Sequence, residues 1–149
     1  MKWTPGLMKW GIRLYGPYLG AGVRADTIAP DWRYMKISMG LTWFNRNVMG
    51  THFGGSLYSM VDPHLMLMLM QILGNTYLVW DRRAEIDFIR PGTGRVSAEF
   101  RITDSDLDTI RENTAGGGKY LHTFDVSVTD EQDNLVAAVK KVIYVRKKK

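Results

Sequence analysis

The apolar residues Trp3, Leu7, Trp10, Leu14 and Tyr18 recur at helical spacing, while Lys2, Lys9 and Arg13 fall between them. This predicts a short amphipathic helix over about 3–18, packed on the body of the protein and ended by Gly16-Pro17. The period then changes to two: Arg33, Met35, Ile37, Met39 and Leu41 alternate with Tyr34, Lys36, Ser38 and Gly40, a strand with one largely apolar face. A polar, Gly-rich turn follows and opens into a helix expected over 54–73. That helix is apolar nearly all round, with Leu65 to Met70 an unbroken run of Leu and Met, the pattern of a buried central helix. Pro63 removes an amide inside it and predicts a kink or an irregular turn beside Asp62. Gly74-Asn75 ends it.

Strand-like runs fill the rest. Ala84, Ile86 and Phe88 alternate with Glu85 and Asp87; Val96, Ala98, Phe100 and Ile102 share a face; Phe124, Val126 and Val128 alternate with Asp125 and Ser127; and Leu135 to Val145 follows a turn at 130–134. Residues 104–113 have helix-like composition, followed by Gly116-Gly117-Gly118. An early apolar helix followed by successive antiparallel-looking strands requires a sheet curved around a helix. The expected fold class is therefore α+β: a hotdog fold, with a curved antiparallel sheet wrapped around a long central apolar helix and an N-terminal helix in addition. No linker or internal repeat divides the chain, so residues 1–149 are expected to form one hotdog domain.

Composition narrows the function. The 149 residues contain no cysteine, which excludes thiolate catalysis, disulfides and zinc ribbons and fits a reducing, cytoplasmic setting. Lys2, Lys9 and Arg13 interrupt any signal-peptide core, and the longest apolar run, 61–73, is too short to span a bilayer. The net charge of +5 favours anionic partners in a general way, although Arg146-Lys147-Lys148-Lys149 supplies part of it. Three scattered histidines have no metal-ligand spacing. Gly116-Gly117-Gly118-Lys119 precedes Tyr120 rather than Ser or Thr, so it is no phosphate loop. The aromatic residues sit mostly on apolar faces, which argues against nucleic acid. No metal or cofactor is expected.

Residues 45–63 carry the candidate chemistry. Gly54-Gly55 at a helix start lets a ligand approach free backbone N–H groups, and Asp62 lies about two turns further on. The spacing of Asn47, Gly54, Gly55 and Asp62 resembles that of hotdog-fold acyl-CoA thioesterases of the phenylacetate-pathway (PaaI-like) type. That family usually has His directly before Gly-Gly. Here Phe53 stands there and His52 comes one residue early, and the Thr-x-Phe-Gly-Gly form with Asp62-Pro63 is more similar to an uncharacterised, domain-of-unknown-function branch. The similarity spans roughly residues 27–145.

The resemblance implies hydrolysis of an acyl-CoA thioester in a homo-oligomer, a dimer or a dimer of dimers, with Asp62 facing the Gly-Gly turn of the neighbouring subunit. Asp62 is the candidate base or nucleophile, the Gly55 amide the candidate oxyanion donor, and Asn47 the residue expected to hold the thioester or the attacking water. His52, Phe53, Gly54, Arg46 and Arg90 are the candidate substrate-binding residues, with Arg82 and Arg83 as further basic groups for CoA phosphates. Each has a plainer reading. Asp62 can be a helix acid satisfied by His64 or an Arg, and Asn47 can simply shape its turn. His52 can hydrogen-bond its loop, and Gly54-Gly55 can serve close packing. Two further functions stand beside hydrolysis: a non-catalytic acyl or acyl-CoA binding protein, and a dehydratase using His52 with Asp62.

Overall fold

The computed structural model describes residues 3–148. Helices α1 (Pro5–Leu14) and α2 (Gly16–Ala21) lead into strands β1 (Val23–Ile28) and β2 (Tyr34–Met39). Helices α3 (Gly54–Ser59) and α4 (His64–Leu73) follow, then β3 (Tyr77–Phe88), β4 (Val96–Arg101), α5 (Asp104–Thr114), β5 (Lys119–Thr129) and β6 (Leu135–Lys147). The six strands form one sheet in the order β1-β2-β4-β5-β6-β3, every neighbouring pair antiparallel. This is the hotdog architecture, with α4 as the central helix.

The central core joins α4 to one face of the sheet. Leu65, Met68 and Leu69 of α4 are buried with Met35, Ile37 and Met39 of β2, Val96, Ala98 and Phe100 of β4, and Val139, Ile143 and Val145 of β6. The alternation of those strands is what makes this possible: every second side chain reaches the same face. Strand β3 changes phase part-way. A bulge between Asp81 and Arg83 inserts one residue, so Val79 and Asp81 point inward before it and Ala84 and Ile86 after it, the even-numbered phase the alternation predicts. Residues 104–113 are helical as expected, and Thr103 closes a capping box with Asp106.

Two elements differ from the sequence expectation. The N-terminal segment is two helices meeting at Tyr15, and α1 buries Met8 and Ile12 rather than the stripe of Leu7, Trp10 and Leu14, which stays exposed. The expected continuous helix over 54–73 is broken into α3 and α4, with residues 60–63 as a turn between them. Pro63 has no N–H to give the Ser59 carbonyl, so the helix ladder stops there. The Asp62 amide turns in to that carbonyl at 3.2 Å and the Tyr18 hydroxyl donates to it at 2.9 Å, which ties α2 to the break.

Candidate functional site

The break in the central helix creates the site. Asp62 lies in the turn, not on a helix face, and its side chain is 49% exposed. The expectation that Asp62 is an acid within a continuous helix is thus corrected: the turn swings the carboxylate to the mouth of a cavity. Neither His64 nor an Arg is its partner. Lys141 of β6, itself 1% exposed, donates from Nζ to Asp62 Oδ1 at 3.0 Å and lies 2.7 Å from Asp81 Oδ1. The contact with Asp81 is an ion pair outside hydrogen-bonding angles. The Tyr58 hydroxyl donates to the same Asp62 Oδ1 at 3.3 Å. Among the described residues Oδ2 has no partner, so one oxygen of Asp62 is held and the other is free.

Burial works against the Lys141 charge, but the two carboxylates beside it, Asp81 in an ion pair and Asp62 in a hydrogen bond, outweigh it, and the ammonium is held above its ordinary value. Burial pushes the Asp81 carboxyl up, with Lys141 pulling it the other way. The Tyr58 hydroxyl is raised by burial and next by the Asp62 charge. The Tyr18 hydroxyl is pushed far up by the same two causes. His64 is fully buried beside it, with Nε2 3.4 Å from Tyr18 Oη, and burial takes its pKa down to about 3. His64 is therefore a neutral core residue, and no proton carrier at neutral pH.

A cavity of about 390 Å³ opens beside Asp62, between α1 and the broken helix; Tyr18, Ser59, Asp62 and Leu67 line its inner side. The Ser59 hydroxyl oxygen is buried and has no hydrogen-bond partner among the described residues. A second cleft of about 320 Å³ gathers Asn47, His52, Gly54 and Arg90 with Phe88. Within one chain the candidates thus divide: Asp62 faces the first cavity, and the Gly-Gly turn faces the second.

The turn is closed on itself. Asn47 Oδ1 accepts from the amides of Met49 and Thr51 at 2.9 and 3.1 Å, and its Nδ2 donates to Thr51 Oγ1 at 3.0 Å and to the His52 carbonyl at 3.3 Å. Its side chain is fully engaged in shaping the turn. His52, 3% exposed, sits 2.7 Å through Nε2 from the Gly94 carbonyl, so that nitrogen carries the proton and donates. Burial lowers its pKa, the Gly94 bond opposing. Gly54 allows close packing, since a Cβ there would meet Phe88 Cζ at 3.0 Å. Among the described residues no acceptor takes the amides of Gly54 and Gly55 in the first turn of α3. Phe53 is exposed ahead of them, and Arg46 and Arg90 are exposed at the turn and after β3. Arg83 is engaged with Glu85.

Sequence reasoning missed Lys141, Asp81, Tyr58, Tyr18 and Ser59. For Lys141 a signal existed: it stands in the inward phase of β6, between Val139 and Ile143, where a charge requires a partner. Among the described residues no group of His, Asp and Glu side chains is placed to hold a metal ion, and no helix is long and apolar enough to cross a membrane.

Solved structures share this fold over nearly the whole chain. A Pseudomonas aeruginosa protein of unknown function, described as a probable thioesterase, superposes with a TM-score of 0.84 at 19% identity, covering 99% of this chain and 98% of that one. A Haemophilus influenzae thioesterase superposes with a TM-score of 0.73 at 12% identity, covering 99% and 93%. A Staphylococcus aureus thioesterase gives 0.65 at 15% identity, covering 87% and 97%. No curated protein matches the sequence. The model of a domain of unknown function, DUF4442, matches residues 5–145, and the chain belongs to that family.

Proposed function

We propose that the protein is a cytoplasmic acyl-CoA thioesterase, active as a homodimer or a dimer of dimers, with Asp62 as its general base. The observation that carries this is the state of the Asp62 carboxylate. Oδ1 is fixed by Lys141 and Tyr58 while Oδ2 is open at a cavity mouth. A base held on one side and free on the other is what water activation needs. Oδ2 takes a proton from water as the water oxygen adds to the thioester carbonyl carbon. The oxyanion that forms lies against the unengaged Gly55 amide of a neighbouring copy. Collapse breaks the C–S bond, the proton passes to the sulfur, and a carboxylic acid and CoA thiol leave. Lys141 keeps its charge throughout and offsets the negative charge of the carboxylates around it.

Two features support a second copy. Trp43, Phe44, Val48 and Met49 beside the Gly-Gly turn are 78%, 82%, 101% and 81% exposed, a concentration of apolar surface that monomers rarely leave in water. Strand β3 is also a sheet edge with unpaired backbone groups. A dimer joined there would bring the two half-sites of different chains together. Arg46 and Arg90, exposed near the second cleft, are the candidate contacts for CoA phosphates.

One observation favours the non-catalytic binding reading: Asn47 and His52 are both engaged by their own loop, leaving Asp62 without an evident helper. The test is thiol release across short, long and aromatic acyl-CoAs, with Asp62→Asn in parallel. The chain contains no cysteine, so protein thiols add no background. Turnover reduced by about 10²–10⁴ in the variant is expected, the range for loss of a general base. Turnover unchanged in Asp62→Asn removes Asp62 from the chemistry, and no turnover from a folded oligomer leaves the binding protein.

A further inference from the structure

The cavity beneath α1 has a polar end and an apolar end. Asp62 and Ser59 stand at one, and Trp3, Met8, Ile12 and Leu67 form walls elsewhere. Its outer wall is secured: α1 buries Met8 and Ile12, and the Trp3 amide donates to Gln71 Oε1 of α4 at 3.1 Å. Among the described residues that line it, Asp62 is the one charged side chain, and none is a cation. Gly11 contributes no side chain there; a Cβ on it would lie 3.4 Å from the Trp3 ring, in ordinary contact.

We infer that this cavity is the acyl-chain site, and that it selects medium-chain aliphatic acyl groups and rejects acyl groups with a terminal carboxylate. The inference rests on the thioesterase reading for the position of the thioester, which would sit at Asp62 with the chain running under α1. At about 390 Å³, and with a methylene about the size of a water at ~30 Å³, the space takes a chain of roughly eight to twelve carbons. A carboxylate at the far end would lose its hydration against the apolar walls of Trp3, Met8 and Ile12.

Binding of S-alkyl-CoA thioethers, which cannot be hydrolysed, tests the site apart from turnover. Calorimetry on the full chain should show affinity rising about fourfold per methylene from butyl to decyl, the partition of a CH₂ from water, and no such gain for a decyl chain ending in a carboxylate. Gly11→Leu should weaken decyl binding at least tenfold and leave butyl binding within twofold, while Gly11→Ala stays near wild type. Leu67→Trp narrows the same space from the opposite wall and should act like Gly11→Leu, so a folding failure of one variant does not decide the matter. Equal affinity for butyl and decyl overturns the inference, as does a decyl gain that neither filling variant reduces or an equal gain for the carboxylated chain. Decyl binding that responds to the variants, without hydrolysis of decanoyl-CoA, keeps the acyl site and removes the thioesterase. Hydrolysis without chain-length dependence does the reverse.

Discussion

Lys141→Met removes a buried cation and leaves its two carboxylates facing each other. Lys141 is 1% exposed, while the side chains of Asp62 and Asp81 are 49% and 23% exposed. Removing one partner of a buried pair costs about 3–5 kcal/mol. Water reaches both acids here, so ~3 kcal/mol is expected, at the low end of that range. For a domain of this size that lowers Tm by roughly 6–12 °C, readable by thermal or urea unfolding. The cost has a pH signature. The folded pKa of Asp81 already lies above its unfolded value of 3.8, so its contribution is favourable when protonated and is lost as pH rises through the folded value. Loss of Lys141 enlarges that penalty, so the deficit is greatest near neutrality and shrinks toward pH 4. At the alkaline end the Lys141 contribution of the wild type, raised above 10.5, persists below that value and fades as pH climbs through the folded pKa. The two proteins therefore converge at both extremes. Lys141→Met/Asp81→Leu should recover most of the loss, since Asp81 then becomes an apolar inward residue beside Val79. A deficit under about 1 kcal/mol, a deficit flat with pH, or a double variant no better than the single refutes the reasoning.

Two other perturbations probe groups that the structure assigns to architecture. His64 is held neutral, with its pKa taken down from 6.5 to about 3 by burial, so the unfolded chain binds a proton that the folded chain refuses. Stability should fall by about 1.4 kcal/mol per pH unit from near pH 6.5 down toward pH 3, and His64→Leu should flatten that slope; an unchanged slope points to other groups. Asn47→Ala removes four hydrogen bonds from the turn and should cost about 1–3 kcal/mol, with faster amide exchange at Met49 and Thr51. Unchanged exchange at those two amides would mean that Asn47 does not brace the turn.

The fold was readable because its strongest signals are local and periodic. Val96, Ala98 and Phe100, like Phe124, Val126 and Val128, are buried on one face, and two-residue alternation is enough to find such strands. Strand β1 escaped notice because Arg24, Asp26 and Thr27 leave it only Val23 and Ile28 as buried residues, and an edge strand with so little apolar content has no period to detect. The helix break was foreseeable from Pro63, but its consequence was not. At the break the Ser59 carbonyl is shared by the Asp62 amide and by the hydroxyl of Tyr18, 41 residues before Ser59 in the chain. A long-range hydrogen bond of that kind leaves no trace in local pattern.

The Asp62 partner shows where the limit lies. On β6, Ala137, Val139, Lys141, Ile143 and Val145 share the inward phase, so the sequence announces a buried cation without naming the acid it meets. Asp81 is inward only because the bulge after it reverses the phase of β3: Asp81 pairs with Ile143 before the bulge, and Arg83 with Val142 after it. Without that extra residue, either Asp81 or the pair Ala84 and Ile86 would point to solvent, and Lys141 would lose an acid or the core two side chains. The bulge thus lets one strand supply both an ion-pair acid near the site and apolar packing further on. A carboxylate at the helix break can then be held by a lysine that is itself fixed on a strand, so Asp62 keeps one oxygen anchored although it sits in a turn.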